Sequence, residues 1–445
     1  MEINWKKNTA LFMAGQALSL FGSMVTQYAI LWHITLKTQS GAMMTLFTIA
    51  GFLPMFFISP FGGVWADRFN KKYIINIADG SIAFASLVVA LFLLAGFDNF
   101  GLLLLCAVVR SLGQGVHAPA FSSFIPALVP PEHLTRVNGI QGSIQSLTML
   151  AAPVISGALM TFAPLASLFF LDVITAAIGI AILFFFVKVP PRPESPSPAA
   201  ARVSAVPEPP GEGIAASSEG LNYFRDLGAG LRYIRKNGYI FRMIVIAAIF
   251  MFLTSPMALL TPLQVTRDFG VEVWRLTAIE ITFSLGMMAG GILIGLWGGF
   301  KNKTVTLALA CVLFGIEAAA LGLVPNFFVY IGIMAAAGMT IPLYNTPATV
   351  LLQSTVDPAF MGRVFSVHGM VSSVMLPLGM LLFGPLADVV AIDLLLIGTG
   401  AGMMLLSIPF MVSKTLRAAG ALTGRLPGRA EPPAENETED AAGNQ

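Results

Sequence analysis

Gly62-Gly-Val-Trp-Ala-Asp67-Arg68-Phe-Asn-Lys71-Lys72 is a short charged turn between two long apolar runs. A turn this short makes the flanking helices antiparallel neighbours. Its basic residues place it on the cytoplasmic face of a membrane, because Lys and Arg concentrate in cytoplasmic connections.

The rest of the composition agrees. The chain has 445 residues, 56% hydrophobic and 11% charged, and a mean hydropathy of +0.80. A soluble domain carries about 25% charged residues, so this chain cannot cover itself with a polar surface. Cys106 and Cys311 lie in separate apolar runs, which argues against a disulfide framework. No Cys/His cluster points to a metal, and no cofactor is expected. A net charge of +2 gives no sign of nucleic-acid binding. The apolar run after Lys7 is too long for a signal peptide and reads as a retained first helix.

Crossing about 30 Å of hydrocarbon takes roughly 20 apolar helical residues. Twelve stretches qualify: 10–33, 43–65, 73–95, 100–127, 138–162, 165–187, 240–264, 276–298, 304–323, 327–351, 364–387 and 391–412. The expected fold is therefore an all-α membrane protein of twelve transmembrane helices in two six-helix bundles. The expected divisions are a first bundle over 1–189, a disordered cytoplasmic linker over 190–220, and an amphipathic helix over 221–238 lying on the inner membrane surface. A second bundle over 239–416 and a polar cytoplasmic tail over 417–445 follow. Of the 25 Lys and Arg, 21 fall at the termini or in even-numbered connections. Both termini are accordingly expected in the cytoplasm.

The halves repeat each other. Gly63, Trp65, Asn70 and Lys71 recur 232 positions later as Gly295, Trp297, Asn302 and Lys303. Val129, Pro131, Arg136, Val137, Gly142, Ser146 and Gly157 recur 227 positions later as Val356, Pro358, Arg363, Val364, Gly369, Ser373 and Gly384. Two parallel six-helix halves suit a transporter that rocks two bundles around a midplane site.

Gly63-x-x-x-Asp67-Arg68-x-x-Lys71-Lys72 resembles the loop signature of the major facilitator superfamily, with Asn70 where that signature has glycine. Arg110-Ser-Leu-Gly113-Gln-Gly115 is similar to its fourth-helix signature. Ala152-Pro153-Val-Ile-Ser156-Gly157 resembles the fifth-helix signature of its antiporters, with Ala152 and Ser156 in place of glycines. The opening Trp5-Lys6 and Ala14-Gly15-Gln16-Ala-Leu-Ser19 resembles the macrolide-efflux group of drug:proton antiporters. The resemblance spans all twelve helices.

It implies a cytoplasmic latch around Gly63, Asp67 and Arg68, with Arg136 and Arg363 at the equivalent basic turns. Asp67 could equally be a capped helix end. The second half has Gly299 at the corresponding position, so a gate built on that acid is one-sided. Arg110 sits mid-span, where a charge costs at least ~2.5–3.5 kcal/mol. It reads either as a structural ion pair or as a cavity arginine that couples to protons or substrate. Asp79, Asp172 and Glu317 read as the buried acids, and any of them could carry a coupled proton or simply satisfy donors within a bundle. The resemblance puts their helices in the outer scaffold. Ala152, Pro153, Ser156 and Gly157 permit close helix approach that would seal against leak. Gln16, Gln27, Tyr344 and Asn345 are candidate substrate contacts. His33 and His368 read as satisfied bundle residues, and Asp388 as a structural helix-end acid.

The expected function is export of a hydrophobic or amphipathic, macrolide-like small molecule by alternating access, in exchange for protons, conferring antibiotic resistance. The expected setting is a monomer in the cell membrane, specifically a bacterial inner membrane. The alternatives are a metabolite, siderophore or lysolipid carrier of the same fold, or a non-transporting receptor. No nucleophile–base pair or P-loop is present, so no enzyme is expected.

Overall fold

The computed structural model describes residues 4–188 and 223–422. Within these, twelve helical segments are long and apolar enough to cross a membrane. The first six are α1 (Trp5–Thr38), α2 (Gly41–Arg68), α3 (Lys71–Leu94), α4 (Phe100–Leu128), α5 (Leu134–Phe162) and α6 (Leu165–Ala181), the last extended by a wider π turn to Phe186. A short amphipathic helix, α7 (Tyr223–Lys236), precedes the second half. There the seventh span is α8 (Gly238–Leu259) with α9 (Thr261–Asp268), followed by α10 (Val273–Trp297), α11 (Lys303–Leu321), α12 (Phe327–Thr355) and α13 (Met361–Leu386). The twelfth span is α14 (Ile392–Leu406) with α15 (Ile408–Val412), and α16 (Lys414–Leu422) closes the described chain. Twelve crossings bring the start of α1 and the end of α15 to the same end of the molecule, the near end. The opposite end is the far end.

Asparagine sets several helix starts. The Asn70 side chain accepts from Lys72 N at 3.0 Å, and Asn302, its repeat partner, accepts from Thr304 N at 3.1 Å. Asn99 and Asn326 cap α4 and α12 in the same way. Each satisfies a backbone N–H that the first helical turn leaves free. Helices run past the apolar windows because hydropathy reports only the lipid-facing stretch. The helix itself continues to a cap, as α1 does from Asn4 to the left-handed Gln39.

In α7, Ile234 is buried, and Tyr233 stacks on Phe360 with ring centres 4.4 Å apart, so this part of the amphipathic helix packs onto the second bundle. The start of the expected polar tail is helical to Leu422. Leu416 is buried, and Asn302 Nδ2 donates to Arg417 O at 3.1 Å. The expected linker 190–220, and the tail beyond Leu422, lie outside the described residues.

The bundles meet along two seams, α2 on α13 and α5 on α10. The repeat makes these seams equivalent. A Cβ on Gly157 would lie 1.9 Å from Thr277 Oγ1, and one on Gly384 would lie 1.7 Å from Thr45 Oγ1. Gly157 and Gly384 are the repeat pair noted above, and Thr45 and Thr277 are likewise 232 positions apart. The second seam is tighter, because a Cβ on Gly41 would also meet Gly384 O at 2.1 Å. Both contacts sit in the far half, so the far end is closed. Asp67, Arg68 and Arg136 at the near end are exposed.

Gly384→Ala should pry the bundles apart at the far end. Spin labels at Phe97→Cys and Leu323→Cys, on exposed far-end turns, should report a longer-distance population that the parent protein lacks. Gly157→Ala should shift it less, since there only the Thr277 side chain must move.

Candidate functional site

The first bundle has no single apolar core. One cluster around Phe12, Phe124 and Val137 fills its near end, and another around Ile30, Phe47 and Phe169 fills its far end. Between them lies a polar layer of two linked groups.

The inner group is centred on Arg110. Its Nη1 pairs with Asp172 Oδ2 and donates to Ser86 Oγ at 2.7 Å, while Nη2 donates to Ser23 O at 3.0 Å. Asp172, fully buried, also accepts from Ser86 Oγ at 2.6 Å and from Ser23 Oγ at 2.9 Å. Four helices are tied by one neutralised pair. Such burial is tolerable only because each charge has a counter-charge and its remaining lone pairs and protons are used. The adjacent Ser111 hydroxyl accepts from Met55 N at 2.9 Å, just past Pro54 in α2.

The outer group lines a cavity of about 240 Å³ in the near half, walled by α1, α3, α4 and α5. Gln16 Nε2 donates to Asp79 Oδ2 at 3.1 Å. His117 Nε2 lies 2.7 Å from Gln16 Oε1 and 3.5 Å from Asp79 Oδ1. An amide oxygen can only accept, so this geometry puts the proton on Nε2. Phe121 stacks on the His117 ring, and Gln114, Gln141 and Gln145 add further polar groups to the wall. Ser23 belongs to both groups, which makes the Arg110–Asp172 pair the back of the cavity wall.

The family resemblance puts α3 in the outer scaffold, yet Asp79 reaches this cavity. Gly113 on α4 is the reason: a Cβ there would lie 2.6 Å from Ile82 Cγ1, one turn along α3 from Asp79. Glu317 is elsewhere, between α11 and α12, accepting from Thr340 Oγ1 at 2.8 Å. Tyr344, expected to contact substrate, is buried in the second bundle and stacked on Phe250 at 3.9 Å. Gln27 and Asn345 are exposed on α1 and α12. Gly63 has open space where a Cβ would be, and the Arg363 guanidinium lies 5.5 Å from the Phe360 ring centre. Ala152 packs among Val25, Ala29 and Leu168, with Pro153 and Ser156 also buried beside the seam glycine Gly157.

Three residues were not legible as functional from sequence. His117 lies seven positions from Arg110, on the same helical face, and that spacing is its only local signal. Glu280, in α10, is a further acid within the spans. Asp388 is more than a helix-end acid, because it latches the far end across the bundles. It accepts from Gly41 N at 2.7 Å, Ala42 N at 3.0 Å and Ser40 Oγ at 2.8 Å, at the start of α2, where a carboxylate is favoured. Arg267 Nη2 pairs with it at 3.2 Å and also donates to Gln39 O at 2.6 Å. Partial burial works to raise its pKa. The bonds from Ala42, Ser40, Gly41 and Arg267 outweigh that and hold the carboxyl below the ordinary aspartate value.

Two repeated six-helix bundles, closed against each other at one end and carrying a polar cavity near the other, define a membrane carrier that presents a site to each side in turn. The chain belongs to the Major Facilitator Superfamily, whose family model matches residues 12–380. It is a multi-pass membrane transporter. Macrolide efflux protein A of Streptococcus pyogenes is 30% identical over 88% of this chain and 92% of that protein. The Enterococcus faecalis protein of the same name is 28% identical over 77% of this chain and its own full length. Among solved structures, a bacterial homologue of the human lysosomal transporter Spinster, inward-facing and unoccupied, superposes with a TM-score of 0.65 at 16% identity, covering 95% of this chain and 98% of that one. A bacterial homologue of ferroportin in an inward-facing state gives 0.65 at 15% identity, covering 91% and 99%.

Removing one member of the buried pair should be severe. Arg110→Ala should cost about 3–5 kcal/mol and sharply reduce folded yield, while Arg110→Met with Asp172→Leu should recover much of it. Thermal midpoints in detergent measure this. The depressed Asp388 pKa fixes the sign of a pH effect. The latch holds wherever the carboxyl is charged and is lost as pH falls through the lowered value. Far-end spin-label distances should therefore stay constant over roughly pH 5–8 and lengthen only in stronger acid. Asp388→Asn should lengthen them at every pH.

Proposed function

We propose that this protein is a secondary active exporter of an amphipathic, macrolide-like small molecule, driven by exchange for protons. The reading rests first on the cavity wall formed by Asp79, Gln16 and His117. This is a carboxylate and an imidazole joined through an amide, on the wall of a cavity in the near half. The relatives that export macrolides support the substrate class.

The near end is the cytoplasmic end, by the distribution of Lys and Arg. The described state, shut at the far end, then faces inward. In it a proton held by Asp79 or His117 leaves toward the cytoplasm, and substrate enters the same cavity. Loss of that proton leaves Asp79 charged, with the Gln16 amide donating to it. The seams then reopen at the far end, and the near end shuts with Asp67 and Arg68 as its latch. An outside proton next neutralises Asp79 and displaces the substrate. Each proton that enters is worth about 2.3 kcal/mol per 100 mV of membrane potential. The fixed Arg110–Asp172 pair sets the field at the back of the wall.

Purified protein in liposomes with a lumenal pH dye provides the test. Adding erythromycin should evoke proton movement. Asp79→Asn should abolish it, and His117→Ala should reduce it about tenfold or more, in the range expected when a positioned proton-transfer group is lost. Both variants should keep wild-type thermal midpoints. Proton movement unchanged in Asp79→Asn would overturn the assignment.

A further inference from the structure

We propose that Glu280, with Tyr28, forms a cation site between the two bundles, beneath the far-end seam, that takes the protonated amine of an amphipathic weak base. The proposal rests on the exporter reading above and names the chemistry of its substrate.

Glu280 lies on α10, seven residues from its far-end start and so about 10 Å below it. One turn above it, Thr277 meets Gly157 in the seam that closes the far end. Tyr28 on α1 reaches Glu280 from the other bundle, with its hydroxyl 3.5 Å from Oε2. The carboxylate therefore sits where the two bundles converge, directly beneath the seal. Ser284 and Met287 follow Glu280 on the same helical face toward the near end, as i+4 and i+7 neighbours.

Its partners distinguish it from the other acids inside the spans. Asp172 has Arg110, and Asp79 has Gln16 and His117. Glu317 lacks a cation but lies within one bundle and is held by Thr340 at 2.8 Å. Among the described residues, Glu280 is the acid within a span that is bonded across the bundles, and its one contact is long. A carboxylate at that depth is costly without a counter-charge. The Tyr28 hydroxyl oxygen beside it would offer an ammonium group a second acceptor.

The internal repeat argues against a purely structural role. The position equivalent to Glu280, 232 residues earlier on α2, is Thr48. Its hydroxyl simply donates to Met44 O at 2.8 Å within its own helix. The first half therefore builds the matching helix with threonine there, so the fold does not demand a charge. The carboxylate breaks the symmetry of the two halves at this position.

The test uses full-length protein in nanodiscs and two probes of the same shape and opposite charge, tetraphenylphosphonium and tetraphenylborate. The wild type should bind the cation in preference to the anion. Glu280→Thr, which copies the residue of the first half, and Glu280→Gln should each weaken cation binding about tenfold or more, the loss of a single desolvated charge contact. Glu280→Asp should retain most of it, and none of the three should weaken anion binding. Size-exclusion profiles and thermal midpoints should match the wild type. Equal cation affinity in wild type and Glu280→Thr, or no preference for the cation in the wild type, would overturn the proposal. Macrolide-evoked proton movement with Glu280-independent cation binding would sink this site alone. Glu280-dependent cation binding without any such proton movement would sink the exporter reading and leave the site standing.

Discussion

Lipid offers no water to a buried charge, and that constraint organises the first bundle. Arg110 and Asp172 can exist at mid-membrane only as a neutralised pair with their hydrogen bonds filled. Filling them takes Ser23 from α1, Ser86 from α3 and Asp172 from α6, all gathered on α4. The pair thereby fixes the rotation of four helices about their axes. The apolar clusters above and below pack in the register it sets. The cavity wall follows, because Ser23 is shared and because the α3 rotation that presents Ser86 also presents Asp79.

Between the bundles the opposite principle holds. The seams are built from glycine and threonine, which allow backbones to approach without interlocking large side chains. Such a contact is tight when closed and leaves little behind when opened. The internal repeat places the same Gly–Thr pair on both seams, so the far end is closed by a symmetric joint. Charge provides the latch rather than the joint. Asp388 binds the start of α2 and Arg267 at the far end, while Asp67 stands exposed at the near end.

Symmetry in the joints makes the asymmetries informative. The Arg110–Asp172 pair, the Asp79–Gln16–His117 wall and Glu280 each occur in one half only. Gly299 likewise breaks the near-end signature in the second half. The fold can be built from a repeat, whereas the chemistry that a carrier needs is added to one copy at a time.

The sequence alone determined what is local. Twelve spans, the turns between them, the asparagine caps and the repeat all follow from apolar length and from residues within a few positions of one another, because lipid selects for length and hydropathy segment by segment. It also marked Asp79, Asp172, Arg110 and Gln16 as notable simply because polar groups at that depth are costly. Which of them meet was decided only in three dimensions. Gln16 joins Asp79 across 63 residues and His117 across 101, and Asp388 joins Ser40 across 348. Those contacts depend on how each helix is rotated, and rotation is set by packing against neighbours far away in the chain. For the same reason Tyr344 turned inward, Asp79 reached the cavity from a helix expected to be scaffold, and Glu280 emerged at the seam.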